Sequence, residues 1–251
     1  MILALLYHHI NAPALSNSEP MFRRHVEHLR THCNVVVPGE ALSAEKMNVC
    51  LTFDDAGVDF FHFAYPILQT FQLKALLAVP AGRIQEETAT SLEQRLSFSP
   101  YSPIHERHPD HFCTWKELRQ MTAGGMVHIA SHGMTHRNLL TTDKYEEELR
   151  ESKRLLEKEL KLSVSSIVFP YGMFNLQILE SARRHYTCMF AVGAAVNKSW
   201  NGIDGVMYRI HTDGMTAPAD VLSPLSVIRY KLNVPKMKLK TWLMKKRKFS
   251  Y

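Results

Sequence analysis

Cysteine is scarce in this chain. Cys33, Cys50, Cys113 and Cys188 are scattered through 251 residues with no Cys-x-x-Cys pair, which excludes a thiolate zinc cage and a dense disulfide framework and predicts buried free thiols. Long apolar runs are missing too. The stretch Met1-Ile2-Leu3-Ala4-Leu5-Leu6 passes straight into Tyr7-His8-His9; it is too short to span a bilayer and has neither a basic region before it nor a small-residue cleavage site after it. It reads as a first strand, and the absence of a targeting signal makes a cytoplasmic protein the expectation. Acidic residues are absent between Lys231 and Lys248, where Lys236, Lys238, Lys240, Lys245, Lys246, Arg247 and Lys248 fall. Without that segment the chain is close to neutral, so the formal charge of +6 does not describe a nucleic-acid-binding surface. Such a tail, with Trp242, Leu243 and Met244 as apolar partners, suits an anionic bilayer at the inner membrane face, although basic termini are more often simply solvated.

What is present is an ordinary globular composition, 45% hydrophobic and 22% charged. That is enough for one sizeable core, predicting a single catalytic domain over residues 1–230 and a basic tail over 231–251. Apolar strand-like runs alternate with amphipathic helical ones: strands at 1–6, 35–37, 48–53, 75–79, 126–130, 166–169, 189–192 and 205–210, and helices opening at Pro20, over 60–71 with Pro66 as an awkward interior residue, at the Thr114 to Glu117 capping box, over 142–160 and over 175–185. That order argues for parallel pairing in an α/β domain. From Arg83 to Phe112 the pattern breaks down, with Pro100, Pro103 and Pro109 interrupting it and His105, His108 and His111 at three-residue steps. The reading is an exposed, substrate-contacting excursion. Glu146, Glu147 and Glu148, early in the helix over 142–160, read as a solvated face that suits the helix dipole.

Most of the strands stop at polar residues: Thr52-Phe53-Asp54-Asp55, Ser131-His132-Gly133-Met134-Thr135-His136, Pro170-Tyr171-Gly172 and His211. In parallel sheets and barrels, sites form at these carboxyl ends. Asp54 and Asp55 share one site only if the strand ends there and the backbone turns, which Gly57 makes cheap; alone, the pair reads equally as a helix cap. A His-x-x-x-His pair alone is weak evidence, as His28/His32 shows. His132/His136 differs because Asp55 lies at another strand end. Two imidazoles and one carboxylate with an open position form the catalytic zinc arrangement, and cobalt, nickel or iron suit the same donors. Asp54 would then accept a proton from the attacking water, and His211 would protonate the leaving amine.

These motifs resemble those of the polysaccharide deacetylases, the NodB-homology or carbohydrate esterase family. The resemblance runs from Tyr7-His8 to about His211. It implies a distorted (β/α) barrel of about seven parallel strands and metal-dependent removal of N-acetyl groups from amino sugars. By motif, Asp54 is the base, Asp55, His132 and His136 the metal ligands, His211 the acid, Tyr171 an oxyanion donor through its backbone N–H, and Pro170, Tyr171 and His8 substrate contacts. Two features depart from the pattern. The arginine that pairs with the base two residues before the motif proline is here Val168, a form closer to the branch acting on poly-N-acetylglucosamine, and the tryptophan-bearing fourth motif has only Trp200 as its candidate. In a cytoplasmic member, lipid-linked or nucleotide-linked amino sugars become the expected substrates. The competing readings are a metal-dependent amidase on a non-sugar substrate and a catalytically silent metal- or glycan-binding homologue.

Overall fold

The computed structural model describes residues 1–98 and 107–247. Pro100, Pro103 and His105 of the excursion and Lys248 to Tyr251 of the tail lie outside the described residues. In chain order the elements are β1 (Ile2–Tyr7), β2 (His9–Ile10), β3 (Ser16–Asn17), α1 (Glu19–His32), β4 (Cys33–Val35), β5 (Met47–Phe53), α2 (Tyr65–Phe71), β6 (Ala75–Val79), α3 (Leu92–Ser97), α4 (Trp115–Ala123), β7 (Val127–Ser131), α5 (Tyr145–Leu160), β8 (Ser166–Val168), α6 (Leu176–His185), β9 (Cys188–Val192), β10 (Met207–His211) and α7 (Pro224–Arg247).

Seven parallel strands close into a barrel in the order β1, β5, β6, β7, β8, β9, β10 and back to β1. The distortion has a definite origin. One edge of β5 is shared, pairing with β4 from Met47 to Val49 and with β6 only at Thr52 and Phe53. Alternation along each strand then sorts the side chains. Ile2, Ala4, Cys50, Leu76, Phe190 and Met207 fill the barrel interior. Leu3, Leu5 and Tyr7 face outward to join Phe22, Val26 and Leu29 of α1 in the outer core. All four cysteines are buried and unbonded to one another.

Local signals place the elements well. The Ser18 side chain caps α1, Pro20 sits in its first turn, and the Thr114/Glu117 capping box opens α4. Pro66 is no interior defect: a π-helical turn, Phe60–Ala64, precedes it, so it falls in the first turn of α2, where a missing N–H costs little. Part of the predicted excursion is ordered, with α3 inside it and Arg95 buried on Glu117 at 2.6 Å. His108 is exposed as expected, but His111 is buried, its ring 5.7 Å from that of His9. The expected division at residue 230 falls inside α7, which continues with Met237 and Thr241 buried.

Phe190 is fully buried inside the closed barrel, where surrounding strands cannot collapse into a void. Phe190→Ala should therefore lose about 3–5 kcal/mol of stability, read as a lower urea midpoint at unchanged slope.

Candidate active site

The first carboxylates arrive by a sharp turn. The Asp54 N–H donates to Tyr7 O at 3.0 Å, and the Ala56 N–H then closes onto Asp54 O at 3.0 Å. Asp55 (φ 70°) and Ala56 (φ 53°) both adopt the left-handed region, a conformation that costs a non-glycine residue energy and that surrounding structure must enforce. Gly57 does not supply the turn. A Cβ there would stand 2.4 Å from Asp59 Oδ1, so this glycine leaves room for the carboxylate that accepts the Ile10 N–H at 2.8 Å. Nor do the two aspartates cap a helix, because their side chains are engaged elsewhere.

Asp54 meets Arg209. Arg209 lies on β10 two residues beyond the interior Met207, so the same alternation turns it into the barrel, where it is 1% exposed. Its Nη1 and Nη2 donate to Asp54 Oδ1 at 2.6 Å and Oδ2 at 2.9 Å, a two-pronged pair. Burial alone would raise the Asp54 carboxyl, but the guanidinium outweighs it and holds the group below the usual carboxylate range. The arginine expected at Val168 thus comes from another strand.

Asp55 Oδ1 faces His132 Nε2 at 3.5 Å and His136 Nε2 at 3.4 Å. The ring of His132 is oriented from behind by an Nδ1 contact of 2.8 Å to Val168 O. With Nδ1–H donating to that carbonyl, the Nε2 lone pair points at Asp55 Oδ1, itself an acceptor. Buried acceptors converging in this way fit a cation between them, and the nitrogen and oxygen donors suit a divalent metal.

The loop carrying both histidines is fixed by Glu148 of α5, whose carboxylate accepts the Met134 and Thr135 N–H groups, each at 2.8 Å, and the Thr135 hydroxyl at 2.6 Å. The expectation of a solvated acidic face fails here: Glu148 is 7% exposed, and Glu146 pairs with Arg184 and His185 of α6. Arg107 is a further unexpected residue, donating to Asp55 Oδ2 at 2.7 Å.

The remaining wall of the cleft, a cavity of about 290 Å³, is built by His8, His211, Tyr171 and Gly172. His8 Nδ1 lies 2.6 Å from Asp213 Oδ2, and the ring of His211 stacks 6.0 Å away. Tyr171 is held at φ 58° with its ring 4.8 Å from that of His136. Gly172 is required beside it, since a Cβ there would meet the Val192 N at 2.8 Å. Asp54, Asp55, His132, His136, Tyr171, His8 and His211 thus converge on one cleft. Pro170 is buried in the turn that presents Tyr171. Trp200 does not join them. Its Nε1 donates to Glu40 O, in the loop before β5 at the opposite end of the barrel.

A sequence profile described as polysaccharide deacetylase matches residues 42–190. The chain belongs to the polysaccharide deacetylase family. It is 24% identical over 218 residues to YxkH of Bacillus subtilis (strain 168), a protein named for the same family, covering 82% of this chain and 68% of YxkH. It is 25% identical over 154 residues to the poly-beta-1,6-N-acetyl-D-glucosamine N-deacetylase of Staphylococcus aureus (strain MRSA252), covering 56% of this chain but 47% of that protein. The fold is shared with BC0361, a polysaccharide deacetylase from Bacillus cereus, at a TM-score of 0.73 and 19% identity over 90% of this chain and 68% of that one.

In this family member Arg209, like Arg107 and Glu148, is a residue at the site that sequence reasoning passed over, although for Arg209 a signal existed: a charged residue at an inward register of a strand must find a partner. Arg209→Gln removes what holds the Asp54 carboxyl down while leaving it buried, so its pKa should rise. If Asp54 acts ionised, the acidic limb of the kcat/KM profile should then move to higher pH; an unmoved limb would separate Arg209 from the titration of Asp54.

Proposed function

We propose that this deacetylase removes N-acetyl groups from an amino sugar, using a divalent ion held by Asp55, His132 and His136. The observation that carries the reading is the convergence of those three donors next to a carboxylate, Asp54, kept ionised by Arg209. An ion there, zinc or alternatively cobalt, nickel or iron, would lower the pKa of water to about 7 and polarise the acetamide carbonyl. In this reading Asp54 takes a proton from the attacking water, and the Tyr171 backbone N–H is the donor toward the developing oxyanion.

The acid role passes to His8 rather than His211. Burial alone would lower the His8 pKa, but the hydrogen bond to Asp213 together with the charges of Asp54, Asp213 and Asp55 outweighs it, so His8 stays protonated to higher pH than an ordinary imidazole. His211 shifts the other way, lowered by burial and then by the neighbouring His8. A proton donor for a leaving amine must be protonated near neutral pH; His211 then serves as a wall of the cleft.

Two observations bear on the substrate. The Staphylococcus aureus relative is named for poly-beta-1,6-N-acetyl-D-glucosamine, which favours an N-acetylglucosamine unit. Beside the cleft, and sharing His136 and Tyr171 with it, lies a groove of about 550 Å³ lined by Arg83, Thr135, Arg137, Asn138, Thr141 and Met173. With two guanidiniums and, among the described residues, no carboxylate in its lining, it suits a phosphate next to the sugar, as in a lipid-linked or nucleotide-linked substrate. Such a substrate fits action on the cytoplasmic side of a membrane. The guanidinium that Arg209 supplies to Asp54, in place of the one missing at Val168, favours an active enzyme over a silent homologue. An amidase on a non-sugar substrate is separated by a substrate screen.

Purified protein should release acetate from N-acetylglucosamine oligomers or phosphate-linked N-acetylglucosamine, and Asp54→Asn should abolish this. His8→Asn should lower kcat about 10²–10⁴-fold and His211→Asn far less. Wild-type protein inert toward every one of these sugars would overturn the reaction; loss of kcat with His211→Asn alone would return the acid role to His211.

A further inference from the structure

The terminal helix α7 has two apolar faces. One is spent on the barrel: Val227, Tyr230, Met237 and Thr241 are buried. The Asn233 side chain donates to Ala194 O at 2.9 Å, and Lys240 Nζ sits 5.5 Å over the Phe174 ring. The other face is exposed. Leu225 (80%), Ile228 (52%), Leu232 (73%), Leu239 (54%) and Leu243 (47%) remain accessible. At about 100° per residue these positions fall within an arc of about 60°, roughly opposite the buried set.

A single surface leucine needs no explanation, but a continuous stripe over a helix of 24 residues does. Its borders say what covers it. On the same helical projection, Arg229 and Lys236 flank one side and Lys231 and Lys238 the other, and all four are exposed. From Pro224 to Arg247 the chain carries no acidic residue. Among the described residues no helix is long and apolar enough to cross a membrane.

We infer that α7 is an interfacial docking helix that lays its exposed leucine stripe into the surface of an anionic bilayer, with the flanking lysines and arginine on acidic lipid head groups. Long basic side chains extend their stems along apolar surface while their charges stay in water, which matches their place at both borders. An apolar protein groove would cover the leucines equally well, but it gives no reason for cations on both borders with no anion among them. Because α7 is tied to Ala194 and Phe174, which follow β9 and the Tyr171 turn, docking holds the rim of the cleft close to the lipid surface. The inference rests on the helix alone and does not depend on the reaction proposed above.

The test is co-sedimentation of the full chain with vesicles of phosphatidylcholine alone and with about a third phosphatidylglycerol, at low and high salt. The anionic vesicles should bind the protein at least tenfold more tightly, and high salt should weaken that binding. The double variant Leu232→Glu/Leu239→Glu, altered only at exposed positions, should lose at least tenfold in binding with an unchanged thermal melt. Absence of binding to anionic vesicles, or equal binding by wild type and variant, would overturn the inference. So would a wild-type dimer that the variant dissolves without any vesicle binding, which would assign the stripe to a second copy of this chain.

Discussion

The buried pair between Asp54 and Arg209 is the interaction on which the site depends. Neither charge is tolerable alone at the top of a closed barrel, because removing one partner of such a pair typically costs about 3–5 kcal/mol and strands the other in a poorly solvated interior. Together they tie β5 to β10, strands separated in the barrel wall by β1 and joined here by side chains 155 residues apart. The guanidinium also fixes both oxygens of Asp54 in one orientation while Asp55, turned by its left-handed backbone, faces the histidines. Two adjacent carboxylates are thereby given different environments, as the proposed division between a proton acceptor and a ligand requires.

The barrel supplies the geometry and the loops supply the rigidity. Parallel strands deliver every chemical group to the same end, but His136 stands four residues past His132 on a loop that would be loose without Glu148. The three hydrogen bonds accepted by that one carboxylate convert the loop into a fixed platform. Arg107 adds a second constraint on Asp55 from the far side. The site is therefore held by charges that are themselves buried and paired, an arrangement that favours preorganisation over flexibility.

Much of this was legible in the sequence. Continuous apolar runs that stop at Asp54-Asp55, at His132 and at Pro170 announce strand ends, and the motifs at those ends resemble the polysaccharide deacetylases, a resemblance that implies the barrel of about seven strands. What escaped did so for physical reasons. Arg209 was visible beside His211, but its partner is set by closure of the barrel, which no local pattern encodes. Glu148 sat in plain sight as well: it occupies the register of Ser152, Leu156 and Leu160, the buried stripe of α5, yet three consecutive glutamates read as a solvated face. Gly57 was credited with a turn that Asp55 and Ala56 perform, because enforced left-handed backbone at non-glycine residues depends on tertiary contacts. In α7 two opposed apolar faces cancel each other's periodicity, so a structured helix reads as a basic tail.

An ion held by Asp55, His132 and His136 is what the proposed reaction requires. The most direct test is acetate release from an N-acetylglucosamine oligomer by wild-type protein treated with a chelator and then resupplied with zinc or cobalt. Activity should disappear on chelation, return with one equivalent of metal per chain, and fail to return in a His132→Ala variant. Full activity in metal-free protein would contradict that requirement.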